Sequence, residues 1–229
     1  MTYEIQGAPL PVVIFKLESG EALNTQRGAM SWMSPNMNME TNAGGGLGQM
    51  FSRAISGESI FQNVYTAENG SGLIACASTL PGQILAIPVS SSRTIVAQKK
   101  AFLASERGVD MNVFFQHNFG AGFFGGEGFF MEKFTGNGMV FLEIDGSVIE
   151  YDLREGQRII VNTGNIAAMD DTVAIDVETV KGLGNMIFGG EGIFNTVLTG
   201  PGHIWLQTMS LPKMAGSLYA LMPHDSNHH

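Results

Sequence analysis

The sequence predicts an all-β chain assembled from three similar units, and three observations carry that expectation. A short block, Gly-Glu-[Ser/Gly]-[Ile/Phe]-Phe, occurs at residues 57–61, 126–130 and 190–194. Its register extends forward: a threonine follows each final phenylalanine by five residues (Thr66, Thr135, Thr199), and then comes a turn at Asn69-Gly70, Gly136-Asn137-Gly138 or Gly200-Pro201-Gly202. A recurrence held at that spacing is the mark of an internal repeat. The third observation is a period of two: Val140, Leu142 and Ile144 alternate with Phe141, Glu143 and Asp145, and Val173, Ile175 and Val177 with Asp176 and Glu178. That period belongs to half-buried strands.

Each unit reads in the same order. A turn entering a strand comes first, at residues 20–23, 82–85 and 156–159, and a Gly-x-Gly loop with bulky apolar neighbours follows at 46–48, 120–122 and 182–184. After the block and its turn come strand-like segments at 73–77, 139–144 and 203–209. β-Branched residues at 93–96 and 158–161 suit a pleated surface. The units run over about 1–78, 79–145 and 146–209 of a single domain spanning 1–229. Residues 49–56, which have no counterpart in the other units, read as an added helical turn. At the chain end Ser210 suits a cap and Pro212 a first turn, while Leu211, Met214, Leu218 and Leu221 recur at helical spacing. This predicts a short amphipathic helix over about 210–222 that covers an open sheet edge or barrel end, followed by a disordered polar tail at 223–229.

The triplicated blocks, the Gly-x-Gly loops before them and Ser210-Leu211-Pro212-Lys213 resemble the altered-inheritance-of-mitochondria protein 24 family. The resemblance covers nearly the whole chain. It implies a TRAP-like β architecture, related to β-prism and double-stranded β-helix folds, with three similar sheets about a pseudo-threefold axis. It brings no catalytic residues, and it links eukaryotic members to mitochondrial membrane organisation.

Composition narrows the function classes. Only 14% of residues are charged, against roughly 25% in an average soluble chain, and 12 Lys and Arg face 21 Asp and Glu for a net charge of -9. Such a chain repels phosphate backbones, so nucleic acid is not an expected partner. Its single cysteine, Cys76, sits among apolar neighbours as a buried thiol would and fits a reducing compartment. No apolar run reaches the length of a membrane-spanning helix, and the start has no basic region followed by an apolar stretch. These features predict a cytoplasmic protein.

Candidate sites are few. Gly120-Ala121-Gly122-Phe123-Phe124-Gly125 spells the dinucleotide fingerprint, but the glycines that follow cannot open the helix the fingerprint requires. Glu58, Glu127 and Glu191 occupy equivalent places in the blocks. They read as turn acids that accept hydrogen bonds from their own glycine-rich loops, ahead of a shared cation site. Asp145 and Asp170-Asp171 read the same way, and Lys99-Lys100 as a solvated strand end. His117 and His203 lack metal-motif spacing and read as local hydrogen bonders. No Gly-x-Ser-x-Gly elbow accompanies a nucleophile. No cofactor, metal or catalytic residue is therefore assigned.

The unusual feature is a set of apolar loops: Leu47, Met50 and Phe51; Phe123 and Phe124; Met186, Ile187 and Phe188. They predict either a core closure or a contact surface. Fourteen methionines and the low charge favour association. The expected function is a non-enzymatic scaffold or binding module acting as a homo-oligomer, a trimer or larger, with a partner protein favoured over a membrane. The alternative is an enzyme or small-ligand-binding β-barrel with its pocket on the pseudo-threefold axis.

Overall fold

The computed structural model describes residues 1–43, 61–117, 129–179 and 194–222, which are nearly all strand. A first strand, β1 (Thr2–Gln6), precedes three successive runs of six. The first run is β2 (Val12–Leu17), β3 (Ala22–Gln26), β4 (Met30–Met33), β5 (Met37–Ala43), β6 (Phe61–Ala67) and β7 (Gly72–Ala77). The second is β8 (Gly82–Val89), β9 (Ile95–Gln98), β10 (Phe102–Glu106), β11 (Val109–His117), β12 (Phe129–Gly136) and β13 (Gly138–Asp145). The third is β14 (Val148–Leu153), β15 (Arg158–Asn162), β16 (Ile166–Asp170), β17 (Ala174–Thr179), β18 (Phe194–Thr199) and β19 (Gly202–Gln207). A single helix among the described residues, α1 (Leu211–Leu221), follows.

Pairing within each run follows one order, always antiparallel. The first and third strands flank the sixth, as β2 and β4 flank β7, β8 and β10 flank β13, and β14 and β16 flank β19. The second and fourth flank the fifth, as β3 and β5 flank β6, β9 and β11 flank β12, and β15 and β17 flank β18. A bulge interrupts the third strand at the same register each time, between Met30 and Trp32, Phe102 and Ala104, and Ile166 and Ala168. A bulge bends its strand and adds twist, which lets one strand leave one sandwich and edge the next.

Two junctions join the runs, β3 with β10 and β9 with β16. They create two six-stranded sheets, β5-β6-β3-β10-β13-β8 and β11-β12-β9-β16-β19-β14. The remaining strands form a four-stranded sheet, β1-β2-β7-β4, and a three-stranded one, β15-β18-β17.

Three apolar clusters fill the gaps between these sheets. Phe15, Leu17 and Ile74 of the four-stranded sheet pack with Leu23, Tyr65 and Phe141 of the first six-stranded sheet. Phe102, Val140 and Leu142 of that sheet pack with Ile95, Phe134 and Trp205 of the second. Val96, Met131 and Ile204 of the second pack with Val161 and Leu198 of the three-stranded sheet. Both six-stranded sheets are thus covered on both faces. The expectation that β13 is half-buried therefore fails: Phe141 serves the first cluster while Val140, Leu142 and Ile144 serve the second. β17 does alternate, with Ile175 and Val177 partly buried and Asp176 exposed.

The turns follow the sequence signals. Asn69 and Gly70 adopt φ of 58° and 132° between β6 and β7, the left-handed geometry that an Asn-Gly hairpin supplies without strain. At Gly136 any side chain would strike the carbonyl oxygen of Gly108. Helix α1 starts where expected, with Pro212 in its first turn, but Ser210 makes no side-chain capping bond and its buried hydroxyl faces inward. Leu211 and Met214 are partly covered, whereas Leu218 and Leu221 are exposed. The predicted lid is thus seated at its first turn only, because among the described residues no sheet surface lies under the later turns.

Candidate functional site

Glu58, Glu127 and Glu191 all lie outside the described residues, and so do the apolar loop residues Leu47, Met50, Phe51, Phe123, Phe124, Met186, Ile187 and Phe188. The fingerprint at 120–125 and the proposed helical turn at 49–56 lie there too. The described chain places its polar groups elsewhere, in a cleft and a histidine cluster.

The cleft, of about 280 Å³, takes residues from all three runs. Gln26 ends β3, Gln98 ends β9, and Lys100 stands in the short 3-10 turn after β9 instead of in the predicted strand end. Glu143 and Asp145 come from the C-terminal end of β13 and Gln207 from the end of β19. Thr79 donates its backbone N–H to Glu143 Oε2 at 2.8 Å, and Asp145 donates its own to Gln207 Oε1 at 3.2 Å. Gln207 Nε2 in turn donates to the carbonyl of Gly164 at 2.9 Å, and Gln98 Nε2 donates to the carbonyl of Ile166.

Burial pushes the Glu143 carboxyl above its usual range; the Thr79 N–H pulls it back and the nearby charge of Asp145 adds to the rise. Burial raises Asp145 as well, opposed by Lys100. Burial leaves the ionised forms of these two neighbouring carboxyls poorly stabilised, and a cationic or hydrogen-bond-donating group would stabilise them. Gln98 and Gln207 beside them are already committed to backbone partners, so these two brace the junction between runs. Asp145, expected as a turn acid, is thus a wall of this cleft. Sequence alternation did place Glu143 and Asp145 on one face of β13, but the Gln ends of β3, β9 and β19 are brought to it only by pairing between runs.

His203 on β19 forms the second constellation. Its Nδ1 lies 2.6 Å from Asp152 Oδ1 and its Nε2 lies 2.9 Å from Glu150 Oε2, both on β14. Its backbone N–H donates to Asp170 Oδ2 at 2.9 Å, and Arg93 Nε stands 3.6 Å from Asp170 Oδ1. The imidazole packs on Trp205 with ring centroids 4.4 Å apart, and Arg93 lies over the same indole. Burial works against charging the ring, but the hydrogen bonds and charges of Asp152 and Glu150 outweigh it and the His203 pKa is raised. This is the local hydrogen bonder the sequence predicts. Asp170 is more than a turn acid, since it ties β16 to β19; Asp171 pairs with Lys133 at 3.0 Å. Among the described residues no group of three or more His, Cys, Asp or Glu is placed to hold a metal. Cys76 is buried, and its thiol is pushed up to about 12 by desolvation.

Stacked β-sheets with apolar clusters between them, braced by polar strand ends, define a class: a multi-sheet β protein in which Gln98, Gln207, Glu143 and Asp170 bond its own backbone. Residues 3–209 match the AIM24 family, described as mitochondrial biogenesis AIM24, and the chain belongs to that family. An uncharacterized protein of Streptococcus pyogenes serotype M6 is 29% identical over 225 residues, which cover 95% of this chain and 89% of the relative. A Streptococcus pyogenes protein solved by X-ray crystallography in a structural-genomics programme superposes with a TM-score of 0.81 at 26% identity, covering 96% of this chain and 99% of its own. No helix among the described residues is long and apolar enough to cross a membrane.

Proposed function

We propose that the chain is a non-enzymatic scaffold or binding module that works as a homo-oligomer, each copy a single domain of three like units over about 1–78, 79–145 and 146–209. The observation that carries this reading is the commitment of its described polar constellations. Gln98 and Gln207 hold backbone groups where strands of different runs meet, and Asp170 and Glu143 hold backbone groups within their own runs, so all four are engaged in fixing the fold. The common pairing order and the bulge common to the three third strands support the reading of three copies of one design. A pseudo-threefold closure within one chain would bring β4 beside β15, and the exposure of both strands favours closure between chains instead. The apolar loops around Phe51, Phe124 and Phe188 supply further contact surface.

The second reading, a ligand-binding protein, is favoured by the cleft of about 280 Å³ with Glu143, Asp145 and Lys100 on its walls. It is smaller than the clefts that hold drug-sized ligands and suits a small cationic or amide-bearing molecule. Native mass spectrometry of the purified full chain separates the two readings. Scaffolding predicts a multiple of the chain mass with nothing added; a retained small molecule, displaced by Glu143→Gln, would favour the second.

A further inference from the structure

The outer edges of the molecule hold the strands whose counterparts make the inner junctions. β4 takes in the first run the place of β10 and β16: Trp32 lies opposite Ala75 as Ala104 lies opposite Phe141 and Ala168 opposite Trp205. β15 takes the place of β3 and β9, with Ile160 opposite Val197 as Asn24 lies opposite Val64 and Val96 opposite Lys133. The burial of these matched positions differs sharply. Ala104, Ala168 and Val96 are all 0% exposed, whereas Trp32 is 49%, Met33 37% and Ile160 65% exposed. Among the described residues neither β4 nor β15 has a strand on its outer side. Such an edge presents unpaired N–H and C=O groups, and here it also presents large apolar side chains.

Resting on the oligomer reading, we infer that β4 of one copy pairs antiparallel with β15 of a second copy of this chain. The register follows from the inner junctions. There Ala104 and Ser105 face Thr25 and Asn24, and Ala168 and Met169 face Ala97 and Val96. The matching pairs are Trp32 with Val161 and Met33 with Ile160. Their union joins the three- and four-stranded sheets in the order β17-β18-β15-β4-β7-β2-β1, whose first six strands repeat the order found in both six-stranded sheets.

Side-chain placement agrees with that register. Ala168 lies beside Ala97 within the second cluster, and Trp32 would lie beside Val161, a member of the third. Val96 reaches from the second run into the third cluster, and Ile160 would reach in the same way into the first cluster of the neighbouring copy. The chemistry of the new seam matches the apolar Val96–Met169 junction more than the Asn24–Ser105 one, where Arg107 adds a 2.7 Å hydrogen bond to Asn24. Because the two edges differ, the contact is head-to-tail: every copy offers both, and the assembly closes as a ring where the rotation permits.

Native mass spectrometry of the full chain tests the interface with Trp32→Lys and Ile160→Lys. The unaltered chain is expected to assemble, and each variant alone to be monomeric with at least a tenfold weaker association. Mixed in equal amounts, the two variants should give a dimer of one each, since one intact β4 and one intact β15 remain. An unaltered chain that is monomeric at micromolar concentration overturns both the oligomer reading and the interface. An assembly that survives both lysines overturns the interface alone. Should a lysine variant lose its cooperative melt, a chain carrying Met33→Cys and Ile160→Cys decides with a short bis-maleimide. Links between chains support the pairing; a link within one chain, seen as a faster-migrating monomer, overturns it.

Discussion

At the inner junctions and at the outer edges the same strand positions meet opposite surroundings. Ala104 and Ala168 are small residues pressed against Phe141 and Trp205, whereas at the outer edge the large residue, Trp32, stands on the third strand and the small one, Ala75, on the sixth. The first arrangement is closed by a strand of the preceding run of the same chain, β3 or β9, and the second is left open to solvent. Burial here is set by what a run has beside it, since the pairing within the run is unchanged.

One substitution made at two matched positions separates the inner surroundings from the outer ones. Ala168→Lys puts an ammonium group into the second cluster with no partner and is expected to abolish cooperative folding, a loss of more than about 4 kcal/mol. Trp32→Lys should shift stability by about 1 kcal/mol or less in the isolated chain, because its side chain is already half in water. Urea titration of both under the same conditions checks the contrast. Next in size is Phe141→Ala, which removes a ring that meets Phe15 edge-on at 4.7 Å and Tyr3 at 4.8 Å. A loss of about 3–5 kcal/mol is expected; a loss below about 1 kcal/mol would mean that the first cluster does not hold the inner junction.

A smaller effect comes from His203, beside the junction between β9 and β16. Its folded pKa is raised above the 6.5 of the free ring, so its contribution is fully present below pH 6.5 and is lost as the pH rises through the folded value. Asp152→Asn should flatten the fall in melting temperature across that window, while Trp32→Lys should leave it unchanged. The smallest expected effect is at Glu143, whose carboxyl is raised above 4.5 by burial. The folded state then binds the proton more tightly, so stability falls as pH rises from 4.5 through the folded value. Glu143→Gln removes that fall and raises the melting temperature at pH 7 by about 1–2 °C.

Much of the fold was legible because its signals are local. The Asn-Gly turn, the threonine register of Thr66, Thr135 and Thr199 and the apolar runs at β7, β13 and β19 each report a strand or a reversal within a few residues. Helix α1 was legible for the same reason, through Pro212 and the spacing of Leu211 and Met214. What the sequence hid depends on neighbours far along the chain. Alternation along β13 marks a half-buried strand, yet its second face is covered by the first cluster, and no local pattern distinguishes the two cases. The cleft was hidden likewise, since Gln26, Asp145 and Gln207 lie far apart in sequence and meet only through pairing between runs. His203 was legible as a hydrogen bonder, but its partners Asp152 and Glu150 belong to the strand facing it.

The lone cysteine turns this architecture into a clock. Cys76 on β7 lies between Val13 of β2 and Met30 of β4, fully enclosed, with a thiol that desolvation keeps protonated at neutral pH. A disulfide reagent can therefore modify it only after β4 or β2 has peeled away, and the labelling rate counts those openings directly. Detachment of an edge strand is a partial event far more frequent than whole-chain unfolding. Clamping β4 beneath another strand would suppress it, so labelling should slow as protein concentration is raised. A rate indifferent to concentration would mean that β4 swings free at every dilution.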